Sequence, residues 1–278
     1  MAPRGLVFRR AAALHCTDVP ELPADNLRRY ARQVAFEPLG RNGQRALGQA
    51  RALIVGVGGL GSWAAELLAR AGVAALRLVD ADRVEPANLH RQALYDEADA
   101  AEGRPKVAAA ARRLGQINAG VAVEAVQARL DAANVARLAD GADVILDGTD
   151  NFQTRFVIND YAVMTGRPWV FAGVVGAEGQ VMAVVPNRTG CLRCLYDGPP
   201  PADPPAPPPG VFGPAVAAIA AIEAVEAIKI LAGRPEAVSG QLTKLDLWRN
   251  TVQRIAVGPD ANCDCKCCKK SKFEYLQP

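Results

Sequence analysis

The chain has 278 residues, 50% hydrophobic and 22% charged, with a net charge of +3. This allows one large domain or two small ones and excludes a disordered or collagen-like chain. The small charge excludes a strong electrostatic pull toward nucleic acid or membrane, and no apolar run reaches the roughly 18–20 residues of a membrane span.

Residues 1–25 carry no pattern and are expected to be loosely ordered. Their basic start, MAPRGLVFRRAAALHC, is broken by arginines and reads as a frayed cytosolic tail rather than a transit peptide. Asn26–Gln33 has helical composition. Residues 51–55 form an apolar strand, followed by glycines and an Ala/Leu-rich helix to about Ala71. A second strand, Leu76–Val79, ends at Asp80. This is the opening βαβ unit of an α/β, Rossmann-like, doubly wound and mainly parallel sheet. The alternation continues with a helix over Lys106–Ile117, a strand over Val121–Val126, a short helix over Ala133–Leu138 and a strand over Val144–Leu146. A helix over Asn151–Thr165 and a strand over Trp169–Ala172 follow. Gln180–Val185 reads as a strand, Pro214–Leu231 as a long helix, and Leu242–Leu247 and Val252–Ala256 as closing strands. One integrated domain over 26–278 is expected, with a C-terminal metal-tied antiparallel subregion over about 179–278.

Two residue types cluster. Six of the seven cysteines lie after residue 190, and eight of the twenty prolines fall between Pro199 and Pro209, inside a loop over 198–213. An odd cysteine count with close pairs suits a metal site better than a disulfide framework. Cys191 and Cys194 form one C-x-x-C knuckle, and Cys265 and Cys268 are the only tail pair with that spacing. Four thiolates give a closed tetrahedral zinc site, hence a structural one. A redox C-x-x-C is the competing reading. Cys263 and Cys267 are surplus and could serve as alternate ligands.

Gly56, Gly58, Gly59 and Gly61 form G-x-G-G-x-G between a strand and a helix, where backbone amides can cradle phosphate. Asp80 lies 19 residues past Gly61, placed to accept from ribose hydroxyls. A nucleotide site follows, and NAD fits it as well as ATP does. Arg91 and Lys106 argue against NAD, because hydride transfer needs no cations converging on a triphosphate, whereas charge building on a leaving pyrophosphate does. Each cation alone also reads as a solvated surface charge. Asp147 and Asp150 sit at a strand's C-terminal end, where one could hold magnesium against phosphate oxygens and the other cap the following helix.

R-Y-x-R-Q (Arg29–Gln33), the glycine loop, D-x-D (Asp80, Asp82), N-L-x-R-Q (Asn88–Gln92), G-x-P-K-V (Gly103–Val107) and D-x-T-D-N (Asp147–Asn151) occur in this order. Two C-x-x-C pairs bracket a G-x-x-G-P-A-V…E-A-I-K helix. Over roughly residues 27–275 the set resembles the MoeB/ThiF family (HesA/MoeB/ThiF adenylyltransferases), bacterial relatives of ubiquitin-activating enzymes. The resemblance implies magnesium-ATP-dependent adenylation of the C-terminal glycine of a ubiquitin-like sulfur-carrier protein ending in Gly-Gly, for molybdopterin or thiamine biosynthesis. It implies that the glycine loop cradles the nucleotide and that Asp80 binds ribose, with Asp82 and Asn151 among the nucleotide-binding motifs. Asn88, Arg91 and Lys106 would contact phosphates, and Asp150 would hold magnesium. It also implies that Arg32 reaches into the partner subunit of a cytoplasmic homodimer. A carboxylate nucleophile with a pKa near about 3.5 is already ionised and needs no general base, which suits a chain whose only histidines are His15 and His90. Family members often carry a cysteine in the crossover loop, sometimes linked covalently to the carrier. Here that loop has none. The expectation is an enzyme that stops at the acyl-adenylate and leaves thiocarboxylation to a separate sulfur donor. Other acceptors, carriers of another thio-transfer pathway or peptides, and an NAD-dependent oxidoreductase are the alternatives.

Overall fold

A computed structural model describes residues 28–196, 198, 209–258 and 263–277. The expectations for residues 1–25 and for most of the proline stretch fall outside them.

One eight-stranded sheet runs in the order β3-β2-β1-β4-β5-β6-β7-β8. Its strands are β1 (Arg51–Val55), β2 (Ala75–Val79), β3 (Ala122–Val126), β4 (Val144–Asp147), β5 (Trp169–Val175), β6 (Glu178–Val184), β7 (Gln241–Asp246) and β8 (Thr251–Ala256). β1 to β5 pair in parallel, and β6 to β8 continue antiparallel. The antiparallel subregion expected from about residue 179 begins with β6, where the strand direction switches. Each strand lies within a few residues of its expected place.

The helices among the described residues are α1 (Ala31–Val34), α2 (Gly40–Leu47), α3 (Gly59–Ala71), α4 (Glu97–Ala101), α5 (Lys106–Ile117), α6 (Val135–Leu138), α7 (Phe152–Thr165), α8 (Leu192–Leu195) and α9 (Gly213–Leu231). The helices α2, α4 and α8 were not predicted from the sequence. The polar helix α2 (GRNGQRAL) buries only Gly43, Gln44 and Leu47, so a single large apolar side chain marks its inner face. Two apolar clusters cover the faces of the parallel strands. One joins Ile54, Leu68, Leu76, Leu114 and Ile219. The other joins Leu53, Phe156, Ile158, Trp169 and Phe171. The inner parallel strands β1, β2, β4 and β5 are hence buried on both sides, whereas the edge strand β3 is half-buried and all six residues of β8 are exposed.

Candidate active site and metal centre

β1 delivers the chain into the glycine loop at the carboxyl end of the parallel strands. Gly56 has φ +81°, the left-handed region that favours glycine. A β-carbon on Gly61 would overlap the Gly56 carbonyl oxygen, and so would one on Gly148. Three backbones from two loops thus meet with no side chain between them. Val57 is gripped from both sides: its amide donates to Asp80 Oδ2 at 2.7 Å, and its carbonyl accepts from the Tyr95 hydroxyl at 2.6 Å. Burial pushes the Tyr95 phenol well above its ordinary range, with Asp80 adding to the rise. No side chain caps α3, so its first amides and the positive end of its dipole are open to an anion.

Asp80 is buried, and its second oxygen accepts from the Asp82 amide at 2.8 Å. Its visible work is to fix the loop, and each oxygen keeps a lone pair for a further donor. Asp82 pairs with Lys106 Nζ at 2.9 Å, the lysine buried and the aspartate exposed. The solvated surface charge weighed for Lys106 is corrected here, because a lysine opening α5 against the sheet can be buried only with its charge partnered. The N-L-x-R-Q segment folds over the start of α3. Trp63 Nε1 donates to the Arg91 carbonyl at 3.2 Å, and the Ala93 amide to Ser62 Oγ at 3.1 Å. Arg91 Cδ would lie 4.0 Å from a β-carbon on Gly59, and Gln92 Nε2 3.7 Å from one on Gly58. The Arg91 guanidinium rests on the Ala87 carbonyl at 2.7 Å. Asn88 is buried and accepts from the Glu85 amide at 3.0 Å. Gln92 is buried with Oε1 lacking any partner. A buried orphan acceptor beside a glycine loop fits a bound donor such as a ribose hydroxyl.

D-x-T-D-N divides its work. Asp147 is fully buried. It accepts from Arg155 Nε at 2.8 Å, from Thr149 N at 2.9 Å and from Thr149 Oγ1 at 2.6 Å. Burial raises its pKa against the pull of Arg155. With these acceptor sites committed it braces the loop. Neither aspartate caps α7, correcting that expectation: Asn151 Oδ1 accepts from the Thr154 amide at 2.9 Å. Asp150 is exposed, with only the Asn151 side-chain amide at 3.5 Å, and so is the carboxylate free for a cation. Arg155 also donates to the carbonyls of Thr149, at 2.6 Å, and Ala172, at 3.1 Å. Behind it lies Glu223 of α9, fully buried with both carboxylate oxygens unpartnered. Burial and then the neighbouring Asp147 push its pKa well above the carboxylate range.

Arg32 is not brought to this loop. It is exposed on α1 and makes no hydrogen bond or ion pair among the described residues. Its neighbour Gln33 donates to the Ala71 carbonyl at 2.9 Å. α1 therefore packs at the far end of α3, a helix about 20 Å long at 1.5 Å per residue.

The two C-x-x-C pairs come together in space. The Sγ atoms of Cys191, Cys194, Cys265 and Cys268 all lie within 4.8 Å of one another. Cys191 is 3.6 Å from Cys265 and 3.8 Å from Cys194, which is 3.4 Å from Cys268. A tetrahedron with Zn–S bonds of about 2.3 Å has edges of about 3.8 Å, so the thiols fit zinc. The surplus pair separates. Cys263 lies 3.8 Å from Cys194. Cys267 is fully buried and accepts from Asn159 Nδ2 at 3.4 Å, and the same Asn159 takes the Leu192 amide at 2.8 Å.

Tyr95, Arg155 and Glu223 lay outside every sequence motif, and Gln92 and Gly148 were motif positions with no role assigned. Glu223 had a visible signal, a carboxylate in register with Ile219, Ala220 and Ala227 on the buried stripe of an apolar helix.

The model of the ThiF family matches residues 30–267. The chain belongs to the ThiF family. Among curated relatives, a sulfur carrier protein ThiS adenylyltransferase of Bacillus subtilis is 40% identical over 89% of this chain and 73% of its own length. A SAMP-activating enzyme E1 of Haloferax volcanii is 37% identical over 92% and 94%. Among solved structures, Escherichia coli MccB with ATP superposes with a TM-score of 0.74 at 24% identity, covering 88% of this ThiF-family chain and 76% of MccB. That likeness is one of fold.

Proposed function

We propose that this chain is a nucleotidyltransferase that uses ATP to adenylate the C-terminal glycine carboxylate of a ubiquitin-like sulfur-carrier protein, releasing pyrophosphate. The observation that carries this reading is the contact of Gly56 and Gly61 with Gly148. It welds the phosphate-cradling loop to the loop bearing Asp150, so anion site and cation-binding carboxylate form one platform. The names of the curated relatives supply the carrier class, and the thiamine-type and molybdopterin-type carriers are the two candidates.

In this reading the amides of Gly58, Gly59 and Gly61 hold phosphate oxygens, and Gln92 joins Asp80 at the ribose. Asp82, Asn88 and Asn151 shape the loops around the nucleotide. Asp150 holds magnesium, which when bound neutralises phosphate charge. The carrier carboxylate attacks the α-phosphorus and pyrophosphate departs, its charge met by Arg91 and by Lys106 released from Asp82. Catalysis is positioning plus charge neutralisation. The placement of Arg32 at the far end of α3 supports a homodimer in which it serves the partner's site. Zinc at the four cysteines is structural. A separate sulfur donor completes thiocarboxylation, since the crossover loop carries no cysteine. The setting is cytoplasmic, in keeping with the lack, among the described residues, of a helix long and apolar enough to cross a membrane.

Carrier-dependent exchange of labelled pyrophosphate into ATP tests the reading. Exchange is expected with one of the two carriers and is expected to fall at least 100-fold in Asp150→Ala, since losing one charge-stabilising group costs about 10²–10³ in rate. No exchange with either carrier would sink it and favour another acceptor. Nicotinamide reduction instead would favour the oxidoreductase. Full exchange by Asp150→Ala would remove Asp150 as the magnesium ligand.

A further inference from the structure

A cavity of about 770 Å³ opens between the loop after β3 (Arg129, Leu130), the start of α7 (Asp150) and the C-terminal turn (Glu274, Tyr275, Gln277). This lies within the range of small-molecule pockets, about 300–1,000 Å³. Gly148 touches Gly56, and Asp150 follows two residues later. The cavity thus begins one short step from the glycine loop, which does not itself line it.

Its charged groups are not equivalent. Glu274 is committed to Arg193 at 2.7 Å. Asp131, also in the wall, accepts from the amides of Ala133 at 2.9 Å and Asn134 at 3.0 Å. That leaves Asp150 nearly unpartnered and the Arg129 guanidinium without a partner among the described residues. One free carboxylate and one free guanidinium suit a polar ligand carried with a cation.

Tyr275 is held from three directions. Its ring stacks on buried Phe156 at 4.8 Å, the Arg193 guanidinium carbon lies 5.1 Å from its centroid, and its amide donates to Asp160 at 3.1 Å. Its hydroxyl has no partner among the described residues. A ring immobilised beside a cavity with an idle hydroxyl is a pre-organised hydrogen-bond donor, because its ordering cost is met in folding rather than in binding.

We infer that Tyr275 is a nucleotide-binding residue, its hydroxyl donating to the adenine base of ATP in this cavity while the ribose stays at Asp80 and Gln92. Arg193 is the positioning residue that presses the turn Glu274–Leu276 against it. The inference rests on the ATP reading above and extends it to a segment beyond the last cysteine. The glycine loop takes the phosphates, and the cavity takes the end of the molecule that the loop cannot reach.

The test measures MgATP binding to the full chain by calorimetry without carrier, then both Michaelis constants in the exchange reaction. Tyr275→Phe keeps the ring and removes only the hydroxyl. It should weaken MgATP roughly 3–10-fold, the value of one neutral hydrogen bond, with the carrier KM, kcat and Tm unchanged. Tyr275→Ala should weaken it further, and Glu274→Gln, which loosens the Arg193 tie, should raise the ATP KM without lowering kcat. Wild-type protein that binds no MgATP would defeat the ATP reading and this inference together. Wild-type binding matched by Tyr275→Phe would defeat the inference alone. A shift in the carrier KM with ATP affinity unmoved would give the cavity to the carrier's tail and overturn the assignment.

Discussion

Helix α7 is anchored by opposite means at its start and at its middle. At its N-terminus the preceding loop meets the glycine loop through backbone alone, with Gly56, Gly61 and Gly148 in contact. Farther along, Asn159 and Asp160 reach the first cysteine knuckle at Leu192 and the C-terminal segment at Cys267 and Tyr275 through side chains. The first anchor sits where the sheet is parallel and covered on both faces. The second ties on chain where the sheet is antiparallel and its last strand exposed. Where apolar burial is plentiful, precision comes from leaving side chains out. Where it is scarce, a cluster of four thiols with metal-site geometry stands in its place.

The largest break of this contrast is at the second anchor. Closing such a zinc site contributes on the order of 10 kcal/mol. Stripping the metal with a chelator, or making Cys265→Ser, should lower Tm by tens of degrees and remove near one equivalent of bound zinc, read by metal analysis beside calorimetry. Next comes Arg155→Met. It strands buried Asp147 without its cation, and losing one partner of a buried pair costs about 3–5 kcal/mol. Urea unfolding should show that loss, and pyrophosphate exchange should fall because the Asp150 loop is no longer braced. Gly148→Ala attacks the first anchor alone. Overpacking costs about 1–3 kcal/mol, so stability should drop modestly while exchange drops more, with zinc content unchanged.

The smallest effect concerns Glu223. Its folded pKa is raised, so the folded state binds the extra proton. Its contribution is complete below the unfolded glutamate value of about 4.3 and is lost as pH rises toward the folded pKa. Glu223→Gln should match wild-type stability at pH 4 and exceed it, by on the order of 1 kcal/mol, at pH 8. Denaturant midpoints at both pH values check this. A variant less stable than wild type at pH 8 would show that the carboxylate is ionised and partnered.

The strands of the sheet were legible because apolar runs ended in glycine or aspartate at regular intervals, and the four-cysteine cluster because two C-x-x-C spacings stood alone. The glycine loop announced its place between strand and helix. Which aspartate did what was not legible. Asp147, Asp150 and Asn151 sit within five residues, and only the path of Arg155 back from the second turn of α7 shows that the first is a brace and the last a cap. The contact of Gly148 with Gly56 joins residues 92 apart, and no local pattern encodes it. Tyr275 lay beyond every motif.

The meeting of three glycines has a genetic consequence. Every missense change of a glycine codon adds a β-carbon. Where open space or only a flexible side chain faces the new carbon it can be accommodated, but at Gly61 and Gly148 the nearest neighbour is the same carbonyl oxygen of Gly56. Two distant codons therefore guard one atom, and a change at either removes the same function. A second-site change at the other codon cannot restore it, because no smaller residue exists to make room.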